Sequence, residues 1–169
     1  MNQTSAPAAK SLITENVPEG WKQLEDIVTT ILAECGMSAQ RGVTLRLPRG
    51  SVDVDVYAEE TIEGIVHRTI CECKQWRTNV PKSVVHSFRT VIGETGANRG
   101  YIISTSGFQA GAVEAAAATN IELVTFEEFQ RTYFAKWIGK QIWAVEEELT
   151  RTRASRLRLL QFLRPQLIL

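Results

Sequence analysis

The sequence predicts an α/β fold: a mixed central sheet flanked by helices in the order α-β-β-β-α-β-α-β, with a C-terminal helical extension. Three observations predict it. Trp21, Leu24, Ile27, Val28, Ile31 and Leu32 recur at three- and four-residue intervals, as one face of a helix requires. Three segments rich in β-branched residues follow, at 43–47, 52–58 and 65–74. A short apolar run, an Ala-rich stretch and a second short apolar run then make a strand–helix–strand unit, whose usual solution is a parallel crossover.

Residues 1–18 are rich in Ser, Thr, Ala and Asn and end in Val17-Pro18-Glu19-Gly20, a turn signal, so they read as a loosely held leader. The first helix spans about 20–35 and stops at Gly36. The three strands form an antiparallel meander connected by Pro48-Arg49-Gly50 and by residues 59–64. Pro81 starts a helix over about 81–95. Residues 100–104 are a buried strand, 108–118 a helix and 121–124 the last strand. From Phe126 the pattern is helical again, with Phe129, Tyr133, Phe134, Trp137, Ile138, Ile142 and Trp143 near one stripe and Gly139 as a weak point.

With 169 residues the chain is one ordinary domain plus a short appendage. Hydrophobic residues at 44% and charged residues at 22% exclude wholesale disorder. Nineteen basic and nineteen acidic residues cancel, so any surface for nucleic acid must be local rather than a property of the whole domain. Cys35, Cys71 and Cys73 suit neither a disulfide framework nor a four-ligand zinc site, and read as reduced thiols of a cytoplasmic protein. No export signal or membrane span is visible.

The chemistry-bearing segments are Asp53-Val-Asp55 on one strand and Cys71-Glu72-Cys73-Lys74 on the next. Alternation across a strand puts Glu72 and Lys74 on one face and the two cysteines, as small core residues, on the other. Asp53 and Asp55 likewise share a face, so up to three carboxylates and one ammonium converge. Ionised groups crowded at the edge of an apolar sheet repel one another unless a cation offsets them. A hard divalent ion suits this donor set, bridging Asp55 and Glu72, with Lys74 overlooking the bound water. His67 and His86 have no motif-linked nucleophile, so His-based nucleophilic catalysis is not supported.

At these residues the chain resembles the PD-(D/E)XK nuclease superfamily, and within it the Mrr-like restriction endonuclease branch. Over about 20–129 it carries a helix with Leu24-Glu25, an aspartate strand after Gly50-Ser51, Glu72-Cys-Lys74 followed by Gln75-Trp76, and Gly100-Tyr-Ile-Ile-Ser-Thr-Ser-Gly-Phe108 before an Ala-rich helix. The resemblance implies a restriction-endonuclease-like core that hydrolyses DNA with Mg2+, Mn2+ substituting. It implies that Asp55 and Glu72 hold the metal with the Cys73 carbonyl, that Lys74 assists the attacking water, and that Glu25 binds metal or orders solvent. The chain departs from the family in lacking a proline before the aspartate, and Asp53 competes with Asp55. Asp55 is preferred for its apolar flanks and its spacing from Gly50.

The resulting division is a flexible leader (1–18), a nuclease domain (19–130) and a helical arm with a basic tail (131–169). Gln75, Trp76, Arg77 and Ser106 are candidate nucleic-acid contacts, with Lys82 and Arg89 further along the same path. Ser106 with Gln109 also fits a capping box. Too few residues precede the first helix for a separate recognition domain, so target choice is expected from a homodimer, a specificity partner or the tail. Arg151, Arg153, Arg156, Arg158 and Arg164 there alternate with Leu157, Leu159, Leu160, Phe162 and Leu163. A Holliday-junction resolvase, a repair nuclease and a non-catalytic DNA-binding module remain alternatives on the same fold.

Overall fold

A computed structural model describes residues 12–47 and 50–163, with side chains as far as Arg156. The elements are α1 (Trp21–Glu34), β1 (Ser38–Leu47), β2 (Gly50–Ile62), β3 (Ile65–Lys74), α2 (Lys82–Thr95), β4 (Arg99–Ser104), α3 (Ala110–Ala116), β5 (Ile121–Thr125) and α4 (Phe126–Leu163). This is the anticipated α/β order. The five strands lie side by side in sequence order, the first two junctions antiparallel and the last two parallel. Most of the leader, the residues Pro48 and Arg49 of the first connection, and the side chains of the tail leucines lie outside the described residues.

Two apolar clusters cover the two faces of the sheet. Leu24, Val28 and Leu32 of α1 and Phe129 and Tyr133 of α4 pack on Cys71, Cys73, Tyr101 and Ile103. Val85, Phe88 and Ile92 of α2 and Ala112 of α3 pack on Ile70 and Ile102. Neighbouring residues of β4 therefore point to opposite, equally dry faces, which is why that strand reads as a continuous apolar run. Gly100 lets α2 approach: a Cβ there would lie 2.7 Å from the Phe88 ring and 2.8 Å from Ile92.

Several boundaries differ from the sequence reading. Residues 59–62, expected in a connection, extend β2, so the β2–β3 hairpin closes through Glu63 and Gly64 alone. Both have positive φ, 51° and 83°, as a two-residue hairpin turn of the favoured hand demands. β1 begins earlier than expected, at Ser38, and α3 is shorter than expected. Gly139 does not break α4, which runs for 38 residues.

The β1–β2 ribbon changes partners along its length. Ala39, Val56 and Ala58 pack with the α1 cluster, whereas Val43, Leu45, Val52 and Val54 pack with the α2 cluster. The change falls between the Arg41–Val56 and Val43–Val54 pairs, where Gly42 takes a φ of 62°. A residue with a Cβ would resist that conformation, so Gly42 lets the ribbon turn its apolar side from one helix layer to the other.

Candidate active site

The divergence of two strands builds the site. β2 and β3 pair from Ile62–Ile65 back to Val56–Cys71 and no further. Asp55 is the first β2 residue past the ladder, and its carboxylate stands in for the missing strand: Oδ2 accepts a 2.7 Å hydrogen bond from the Cys73 backbone N–H. On β3, Glu72 and Lys74 form an ion pair with both side chains mostly buried. Cys71 and Cys73 face the other way into the core, as alternation requires.

Glu25 reaches the same place from α1, only 6% exposed among the buried residues Leu24 and Val28. Its carboxyl is pushed up by burial and then by the charge of Asp55, which the Arg41 guanidinium offsets only in part. Glu72 shows the same direction for the same two reasons, and the Lys74 ammonium pulls it back only in part. Asp55 is thus a common neighbour of Glu25 and Glu72, and carboxylates there outnumber cations.

Asp53, the competing aspartate, is exposed and accepts a 2.6 Å bond from the Thr44 hydroxyl across the β1–β2 pair. It still lines an open cleft of about 360 Å³ with Glu72, Lys74, Trp76 and, from α2, Ser83 and Ser87. The two serines were not singled out from the sequence. Their spacing on a helix that follows the Glu-x-Lys strand is the signal that points to them.

The expected DNA contacts differ in their surroundings. Trp76 is exposed, and the Lys74 ammonium lies 5.5 Å from its ring centroid. Arg77 is exposed. Gln75 is tied inward, its Nε2 donating to the Pro18 carbonyl at 2.7 Å. The Ser106 hydroxyl donates to Thr78 O at 2.7 Å, and the N–H groups of Ser106 and Gly107 bond to the Ser104 hydroxyl. The anticipated Ser106–Gln109 capping box does not form, because α3 begins after Gln109 without a side-chain cap and Ser106 is held by the preceding loop.

The donor set fits a hard divalent cation rather than zinc. Burial pushes the Cys71 and Cys73 thiols far above their usual range, so they stay protonated and point away. Among the described residues no three His, Cys, Asp or Glu side chains are placed to hold a metal ion together. Mg2+ does not require three, since it is held by one or two carboxylates, waters and substrate phosphate. Asp55 and Glu72, with a free carboxylate oxygen on Asp55, meet that requirement. Among the described residues no helix is long and apolar enough to cross a membrane.

Comparison with solved structures finds the same fold in the protein of unknown function AF1548, with a TM-score of 0.54 and 20% identity over 63% of this chain and 58% of that one. Protein VC1899 from Vibrio cholerae gives 0.53 and 15% identity, over 70% of this chain and 34% of that one. The DNA modification-dependent restriction endonuclease AspBHI gives 0.43 and 15% identity, over 87% of this chain and 45% of that one. The chain therefore spans little more than half of the first of these proteins and about a third of the second. Comparison with curated proteins gives no match. The sequence matches the Mrr catalytic domain over residues 19–133, most of its length, and the chain belongs to that restriction endonuclease family.

Proposed function

We propose that the chain is a Mg2+-dependent DNA endonuclease that hydrolyses phosphodiester bonds in the cytoplasm, in defence against foreign or modified DNA. The observation that carries this reading is the gathering of Asp55, Glu72 and Glu25 at the end of the β2–β3 ladder, with Lys74 paired to Glu72 where both line an open cleft. Asp55 and Glu72 would hold the metal, which when bound supplies Lewis-acid stabilisation of charge on the phosphoryl oxygens. Mn2+, with a similar preference for oxygen ligands, should substitute.

The chain's own residues do the rest. Lys74 Nζ, poised between Glu72 and the Trp76 ring, neutralises charge on the scissile phosphate and orients the water whose oxygen bonds to phosphorus as the ester P–O bond breaks. The buried Glu25, whose carboxyl is easier to protonate than usual, accepts a hydrogen bond from that water or relays its proton to solvent. Trp76 and Arg77 flank the path of the DNA strand, and Gln75, anchored on Pro18, holds the end of β3 in place.

Supercoiled plasmid incubated with and without Mg2+ tests this reading. Nicked or linear product is expected only with Mg2+ or Mn2+, and none from Lys74→Ala. Gel shifts in Ca2+ should show that Lys74→Ala still binds DNA, because one charge among many phosphate contacts adds little affinity. Turnover unchanged in Lys74→Ala would overturn the mechanism.

A further inference from the structure

The α4 helix is about 57 Å long at 1.5 Å per residue, and among its described side chains the covered ones lie in its first half. Phe129 and Tyr133 are buried, and Trp137 Nε1 donates to Glu34 at 2.6 Å. Beyond the Lys140 side chain, which lies against Gly36, every residue from Ile142 to Arg153 is exposed. Yet this exposed half carries Ile138, Ile142, Val145 and Leu149, which are 37%, 54%, 60% and 65% exposed. Their spacing of four, three and four continues in the sequence through Thr152, Arg156, Leu159 and Leu163. A seam with a 3.5-residue period is the pattern by which one helix packs along another, and an isolated solvated helix has no use for it.

We propose that this seam is a homodimer contact, in which α4 of a second copy of the chain packs against it in the antiparallel sense. The charges select both the partner and the direction. Glu146, Glu147 and Glu148 precede the middle of the seam, and Arg151, Arg153 and Arg156 follow it. A two-fold axis between Thr150 and Arg151 sets Leu149 against Thr152, Val145 against the aliphatic stem of Arg156, and Glu146 beside Arg153 on both flanks. Parallel pairing would instead lay like-charged blocks side by side and press Arg156 against its own copy. DNA is the weaker claimant, because three acidic residues balance three basic ones over this stretch and Arg151 is already paired with Glu147 and Glu148. The inference goes beyond the nuclease reading and does not depend on it.

Light scattering of the full chain tests the contact, and a spin label tests its direction. The intact protein should have twice the mass of one chain, and Leu149→Glu and Ile142→Glu, both exposed and remote from the core, should be folded monomers by circular dichroism and mass. Gly139→Cys has open space around its Cβ and would carry the accessible thiol, since Cys35, Cys71 and Cys73 are buried. Labels there should lie at least about 35 Å apart in the antiparallel pair, against roughly 15 Å in a parallel one. A monomeric wild type, a dimer that survives both glutamate substitutions, or a short label distance would overturn the proposal. A monomeric wild type whose DNA affinity falls in Leu149→Glu would assign the face to DNA instead.

Discussion

The two ends of the β2–β3 ribbon carry similar residues in opposite electrostatic states. At the hairpin end, Glu59 and Arg68 are cross-strand partners joined at 3.1 Å. The Tyr57 hydroxyl, first, and Arg68, second, hold the Glu59 carboxyl below its usual range. At the other end Asp55 and Glu72 occupy the next positions of the same register, but the ladder has stopped and both partners are acids. There Glu72 and Glu25 are pushed up. Toward the hairpin end Glu59 is held by Tyr57 and Arg68 and Glu60 by Lys136, so their charges are stabilised by the fold. At the split end Lys74 pairs with Glu72, the Cys73 N–H with Asp55, and the Arg41 charge acts on Glu25, yet burial and the Asp55 charge still push both glutamates up. The raised pair sits where the proposed metal site lies, and the lowered one where the ribbon is closed by its own partners.

The largest expected effect breaks this contrast at the split end alone. Asp55→Ala or Glu72→Ala should lower plasmid cleavage by at least about a thousandfold, since charge stabilisation and water activation are lost together. Glu59→Ala should cleave at the wild-type rate. A fully active Asp55→Ala beside an inactive Asp53→Ala would move the metal ligand to the other aspartate.

Glu25→Gln should act on rate and stability in opposite directions. Cleavage should fall by roughly ten- to a hundredfold, the usual scale for a group that orients reactants beside a metal. Stability without metal should rise at neutral pH. The sign follows from the raised carboxyl: above the ordinary value of 4.5 the folded protein holds a proton the unfolded chain releases, so wild-type stability declines as pH rises through the folded pKa. The gain in Glu25→Gln should therefore vanish below about pH 4.5 and be complete above the folded pKa. Urea titrations at a series of pH values measure it.

Smaller effects sharpen the comparison. Trp76→Leu removes the ring beside the Lys74 ammonium and should slow cleavage about two- to fivefold, in line with about 0.5–1 kcal/mol for an exposed cation–π contact. Arg68→Ala should leave cleavage unchanged and lower Tm only slightly, because the Glu59–Arg68 pair is open to solvent.

The order of elements and the facing of Glu72 and Lys74 were legible in the sequence, because strand alternation and helical periodicity are local properties. The family likeness was legible too, since Glu72-Cys-Lys74 and the Gly100–Phe108 stretch fall on successive elements. What local pattern could not carry was the splitting of β2 from β3. It goes with Gly42 turning the ribbon over and with Val52 and Val54 joining the apolar cluster on the α2 side of the sheet, which only the folded chain brings together. Residues 59–62 read as a connection because charged residues hide the alternation, yet Glu59 and Glu60 lie on β2, paired with Arg68 and with Lys136 of α4. The Ser106–Gln109 spacing suggested a cap that the folded loop replaces with the Thr78 carbonyl.

Titration calorimetry of Mn2+ into the metal-free protein tests the central claim most directly, because it reads the excess of carboxylates at the split end without needing a DNA substrate. Wild type and Glu59→Ala should bind the ion alike, and Asp55→Ala should lose most of the affinity. Equal binding by Asp55→Ala and wild type, or loss of binding in Glu59→Ala, would contradict the account.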